Sequence, residues 1–142
     1  MTQSATGRDT IKGQETGFAK AFSSFSVNDL GKAKDFYGGV LGVKINEQKE
    51  GLQLGFDDGP NVFIYPKGDH EPATFTVLNF YVDDIQAAVD GLSAKGVTFE
   101  SYGGEIATDE NGIMWGKDNN NGPNIAWFKD PAGNILSVVE TI

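Results

Sequence analysis

The stretch "FSVNDLGKAKDFYGGVLGVKI", residues 25–45, returns in outline as "FYVDDIQAAVDGLSAKGVTF", residues 80–99. In the first copy Asn28 or Asp29 can cap a helix, after which Leu30, Ala33, Phe36, Tyr37, Val40 and Leu41 recur at helical spacing until Gly38, Gly39 and Gly42 loosen and end it. In the second, Asp83 or Asp84 caps, Ile85, Ala88, Val89 and Leu92 follow on one helical face, and Gly96 supplies the stop. The valines ahead of the caps, Val27 and Val82, stand 55 positions apart. A strand-type alternation leads into each, through Phe25 in one and Leu78 and Phe80 in the other.

Short strand candidates follow each helix. "VKINEQKE", "LQLGF" and "NVFIYP" are separated by Glu50-Gly51 and by the Asp57-Asp58-Gly59-Pro60 turn, and "VTFES", "NIAWF" and "NILSVVE" follow the second helix, "DPAGN" joining the last two as a hairpin. Each module therefore reads β-α-β-β-β, an α+β arrangement. One helix covers only one face of a four-stranded sheet, so two such modules are expected to complete each other. The predicted organisation is a polar, flexible N-terminal segment, 1–19, and a single domain, 20–142. That domain comprises module 1 (20–67), the linker "PKGDHEPAT", module 2 (75–142) and a turn-rich inserted loop at about 101–122, in which Ile113, Met114 and Trp115 give something apolar to dock.

The totals exclude several functions. Cysteine is absent, which removes disulfides, thiol nucleophiles and zinc ribbons. The net charge of −9 argues against a grip on nucleic acid, which needs clustered Lys and Arg. No apolar run approaches the roughly 18 residues that a membrane span needs. The first residues lack the apolar core of a secretory signal, so cytoplasmic residence is the default expectation. Neither a G-x-S-x-G elbow nor a phosphate-cradling glycine motif with a following Lys is present.

"VNDLGKAKDFYGGVLG" and "WFKDPAGNILSVVE", in this order and backed by the duplication, resemble the glyoxalase/bleomycin-resistance/extradiol-dioxygenase superfamily, also called vicinal oxygen chelate proteins, over roughly residues 20 to 142. The resemblance implies paired modules forming a curled mixed sheet around a shared cavity, helices outside, commonly in a homodimer and commonly around a divalent metal. Its metalloenzymes hold that metal with His or Glu on four strands and use it as a Lewis acid. The matching positions here are Phe22, Val77 and Ser137, with Phe63, Ile64 and Tyr65 as the looser candidates for the fourth. None is a metal donor of that class, so no metal and no other cofactor is expected. The one histidine, His70, lies in the linker and reads as part of a solvated connector.

Alternation then suggests the lining. With Phe25 and Val27 under the helix, Phe22, Ser24 and Ser26 face the cavity, as do Val77, Asn79 and Tyr81 in module 2, with Phe63, Tyr65, Trp127 and Ser137 alongside. Aromatic residues at strand spacing can equally be core, but three neutral polar groups on one inner surface need water, a ligand or one another. Glu140 falls on the opposite face near the chain end as a solvated carboxylate, and Asp130 and Asn134 read as turn chemistry. The expected function is metal-independent binding, sequestering or sensing a small organic compound, in a homodimer and without nucleic acid or membrane partners. Antibiotic binders of the resembled family lack the metal and capture cationic drugs between subunits. The alternative is a lyase, isomerase or dioxygenase-like enzyme with a non-standard metal site built from Glu105, Asp109, Glu110 or His70. A third reading is an interaction module whose cavity its own side chains fill.

Overall fold

The computed structural model describes residues 17, 18, 20–57 and 61–141. The expected N-terminal segment therefore lies almost wholly outside the described residues, as do positions 58–60 of the Asp57–Pro60 turn. Two four-stranded mixed sheets form, one per module, and they do not close into a barrel. Sheet A comprises β1 (Ser23–Val27), β2 (Lys44–Gln48), β3 (Gly51–Gly55) and β4 (Val62–Pro66), in the order β1-β4-β3-β2. Sheet B comprises β5 (Thr76–Val82), β6 (Ile113–Trp115), β7 (Asn124–Lys129) and β8 (Ile135–Glu140), in the order β5-β8-β7-β6. In both, the first strand pairs parallel with the last and the other pairs run antiparallel.

The two helices start alike. Asp29 caps α1 (Leu30–Lys34) by accepting from the Lys32 N–H at 3.0 Å, and Asp84 caps α2 (Ile85–Ala94) by accepting from the Ala87 N–H at 3.0 Å. They continue differently. The expected helix through Leu41 is α-helical only to Lys34, and Asp35–Val40 widen into a π-helical turn, with Leu41 N–H donating to the Phe36 carbonyl at 2.9 Å. Gly38 and Gly39, the weakest helix formers in the segment, lie in that turn. Gly42 and Gly96, with φ of 72° and 96°, provide the left-handed stops.

One apolar cluster joins both modules. Val27, Leu52, Leu54, Val62 and Ile64 of sheet A meet Ala33 and Tyr37, while Ala126, Phe128, Leu136 and Val138 of sheet B meet Ile85 and Val89. The alternation read from sequence puts Phe25 and Val27 under the helix, and in the structure Val27 is buried and Phe25 packs against the core. The strand candidate "VTFES" requires correction, because it makes only an isolated bridge, Phe99 to Phe128. The outer strand of sheet B is Ile113–Trp115, inside the segment expected to be an inserted loop. Asp109 makes this possible: one carboxylate oxygen accepts from the N–H groups of Asn111 and Ile113 at 2.8 and 2.9 Å, the other from the Trp115 indole at 2.8 Å. Burial alone would raise its pKa, but these donors outweigh it and hold the carboxyl below its ordinary value.

The modules are also stitched by polar groups. Tyr37, fully buried in the first repeat phrase, donates to Asp130 Oδ2 at 2.7 Å in the final hairpin. Asp130 accepts further from the Ala132 and Asn134 N–H groups and from Asn134 Nδ2, whose amide also reaches the Ser26 carbonyl at 2.9 Å. Burial, reinforced by the Asp130 charge, raises the Tyr37 hydroxyl well above its ordinary value, so it remains a donor. The two phrases that stand out in the sequence thus meet in space. Asp130 and Asn134 shape the turn as expected and, beyond that, fasten one module to the other.

Candidate functional site

Each sheet keeps one face uncovered by a helix. Ser24, Ser26, Phe63 and Tyr65 alternate with the covered residues of sheet A, and Asn79, Tyr81, Trp127 and Ser137 with those of sheet B, whereas Phe22 precedes β1 and Val77 packs against the core. On sheet A the register sets Ser24 beside Phe63 and Ser26 beside Tyr65, with Gln53 next to Phe63 and Asn46 next to Gln53. Gln53 Oε1 accepts from Gln48 Nε2 at 3.0 Å and from Asn46 Nδ2 at 3.5 Å, forming a patch of neutral amides beside the Phe63 ring. Phe22 and Phe63 border a hollow of about 800 Å³ with Gln48, Gln53, Lys20 and Glu50. One charge of each sign leaves the lining formally neutral.

On sheet B, Asn79, Ser137 and Trp127 form one cross-strand row, and Tyr81, Val139 and Ile125 the next. Ser137 is fully buried and its hydroxyl donates to the Asn79 side-chain carbonyl. Trp127 lies edge-on to Tyr102, with ring centroids 5.3 Å apart. Val77 falls at the irregularity between Thr76 and Leu78. Tyr81, 80% exposed, borders a second hollow of about 780 Å³ with Lys117, Asn120, Val139 and Glu140. Of the predicted residues, Phe22 and Phe63 line the first hollow and Tyr81 the second, each hollow belonging to one module, while Ser24, Ser26, Tyr65, Val77, Asn79, Trp127 and Ser137 line neither.

The polar groups find different partners. Ser24 and Asn79 are exposed and can be hydrated, whereas half-buried Ser26 meets His70 Nδ1 at 2.7 Å. His70 Nε2 lies 3.0 Å from the Ala132 carbonyl, which can only accept, so Nε2 carries a proton. His70 is accordingly a half-buried tie from the linker to β1 and to the β7–β8 hairpin turn, not a solvated connector, although Lys67–Asp69 around it are exposed. Of the other groups of the alternative metal site, Asp109 is occupied as described above, while Glu105 and Glu110 are exposed. Among the described residues no three His, Asp or Glu side chains are grouped as a metal site would require.

Glu140 also needs correction. Its side chain does lie on the helix side, but it caps α2, accepting from the Ile85 N–H at 2.9 Å, from Asn124 Nδ2 at 2.9 Å and from Lys117 Nζ at 3.4 Å. The Ile85 N–H and then Asn124 hold its carboxyl below the ordinary 4.5. Glu140→Gln is expected to cost about 1 kcal/mol at neutral pH. A folded-state value below the unfolded one means that this advantage is present above about pH 4.5 and is lost as the pH falls through the folded value, so urea midpoints of the two proteins should converge in acid.

Gln48, Gln53, Lys117 and Asn120 were not expected at the site. Gln53 was legible, since it alternates outward between Leu52 and Leu54. Lys117 and Asn120 come from a short 3₁₀ turn after β6 for which the sequence carries no periodic signal.

The sequence model of the Glyoxalase/Bleomycin resistance protein/Dioxygenase superfamily matches residues 22–138, and the chain belongs to that superfamily. No curated protein matches the chain. Solved structures share its fold. An antibiotic-binding protein, TnmS3, from Streptomyces sp. CB03234 is 21% identical, with a TM-score of 0.60 over 87% of this chain and 95% of that one. A glyoxalase/bleomycin resistance protein from the same organism is 22% identical, with a TM-score of 0.57 over 85% and 99%. A superfamily member from Sphaerobacter thermophilus DSM 20745 is 22% identical, with a TM-score of 0.62 over 86% and 96%. Among the described residues no helix is long and apolar enough to cross a membrane.

Proposed function

We propose that this protein is a metal-independent binder of a small organic compound, which it sequesters or senses on the uncovered faces of its sheets. The observation that carries the reading is the chemistry of those faces. At the positions that the resemblance matches to the metal donors of the superfamily's enzymes stand Phe22, Val77 and Ser137; Phe63 and the Gln48 and Gln53 amides border the hollow beside Phe22, and Trp127 adjoins Ser137 across the strands. Aromatic faces beside neutral hydrogen-bonding groups suit a flat, polar organic guest. The fold likeness to an antibiotic-binding protein is in keeping with this. Two chains pairing their uncovered faces would bury the exposed rings of Phe22 and Tyr81 and enclose the guest, which favours a homodimer.

Protein purified without chelators is expected to carry a retained organic compound in native mass spectra, as a dimer, and no stoichiometric divalent ion by elemental analysis. Phe63→Ala should weaken retention by about tenfold, roughly 1.4 kcal/mol, with little change in thermal stability because the ring is only half-buried. A stoichiometric ion whose removal abolishes binding or turnover would favour the metalloenzyme reading and end this one.

A further inference from the structure

A third hollow, of about 330 Å³, lies at the seam between the modules, away from both uncovered faces. Its floor is the covered side of sheet B, with Phe80 and Phe128; Leu41 of module 1 forms one wall, and Ala88 and Gly91 of α2 form the other. Lys95 supplies the one charge in this lining.

The duplication explains why the space is empty. The offset that pairs the caps Asp29 and Asp84 also pairs Phe36 with Gly91. The Phe36 ring crosses the seam to Phe128, with centroids 6.3 Å apart, and stands edge-on to Tyr37 at 5.3 Å. At Gly91 there is no ring, and a Cβ built there would meet nothing within 4 Å. Module 1 thus fills its side of the seam with an aromatic side chain, and module 2 leaves an apolar concavity where the corresponding ring would be.

We propose that this concavity is a second binding site, for a neutral aromatic molecule of one or two rings that carries a hydrogen-bond acceptor. A cavity of roughly 150 Å³ lined by apolar side chains accepts benzene, so the volume here admits a fused bicycle. The acceptor is met by Lys95, whose ammonium approaches the Val40 carbonyl at 3.4 Å and keeps further N–H groups free. An anion is disfavoured, because Lys95 is the C-cap of α2, whose terminal carbonyls repel negative charge, and the chain carries a net charge of −9. The site does not depend on the open-face function.

The probe is 1-naphthol, titrated into the full chain and followed by two-dimensional NMR. Saturable shifts are expected at the amides of Ala88, Gly91 and Lys95. Gly91→Phe, which restores the ring, and Gly91→Leu should each weaken binding at least tenfold while raising Tm. Lys95→Met changes an exposed side chain and should weaken 1-naphthol more than naphthalene, which keeps the test open if the Gly91 variants do not fold. Shifts confined to the uncovered faces around Phe63 and Asn79, unaltered affinity in folded Gly91 variants, or equal losses for both probes in Lys95→Met would overturn the proposal.

Discussion

Asp130→Ala is expected to remove about 3–5 kcal/mol of stability, a large part of the roughly 5–15 kcal/mol that holds a domain of this size together. Asp130 is 5% exposed and accepts from the Tyr37 hydroxyl, from two backbone N–H groups and from the Asn134 amide. Alanine leaves the buried Tyr37 hydroxyl and Asn134 N–H and the half-buried Ala132 N–H without that acceptor, while the Asn134 amide keeps the Ser26 carbonyl. Each orphaned buried donor costs on the order of 1–3 kcal/mol, partly relieved if the hairpin opens to solvent. Tyr37→Phe should cost less, about 1–2 kcal/mol, because the carboxylate keeps its other donors. Urea midpoints of the two single variants and the double variant would measure the coupling. If the hairpin carboxylate fastens the modules, the double variant should be markedly less destabilised than the sum. Additive losses would mean that Asp130 serves only its own turn.

That contact shows where sequence reading stops. The duplicated phrases, the capping aspartates and the alternation of "NVFIYP" and "NILSVVE" are local signals, and they locate the modules, the helix starts and the covered faces. The pairing of Tyr37 with Asp130 spans 93 positions, and nothing local in either phrase announces it. Likewise, "VTFES" has a strand's composition but lacks a partner, whereas "IMW" lies among turn formers and becomes a strand because Asp109 folds the preceding loop back onto β7. Propensity yields to tertiary pairing in both cases. The site residues follow the same division. Strand faces are legible from period two, but which residues reach a hollow, Phe22 and Phe63 in one and Tyr81 in the other, depends on how the sheets stand, which period two does not encode.

Gly51→Ala is expected to cost about 3 kcal/mol and to disturb the module 1 hollow as well. A methyl group at Gly51 would fall inside the van der Waals envelope of the Ile64 carbonyl oxygen and 3.0 Å from Phe63 Cζ. The carbonyl is the harder obstacle, because it belongs to β4, paired on its two sides with β1 and β3, and cannot yield without straining both ladders. The ring of Phe63 lies over the bare backbone of Gly51 and would be pushed from its place beside Gln53. Gly55→Ala in the same strand is the control, since a methyl there meets Lys44 at no less than 3.8 Å, an ordinary contact. It should leave stability within about 1 kcal/mol of the parent. Thermal melts of both variants, with native mass spectra to follow compound retention, should show the Gly51 variant losing stability and guest while the Gly55 variant keeps both. Equal melts for the two would mean that β4 shifts freely, in which case the Phe63 ring would not be fixed by the strand beneath it.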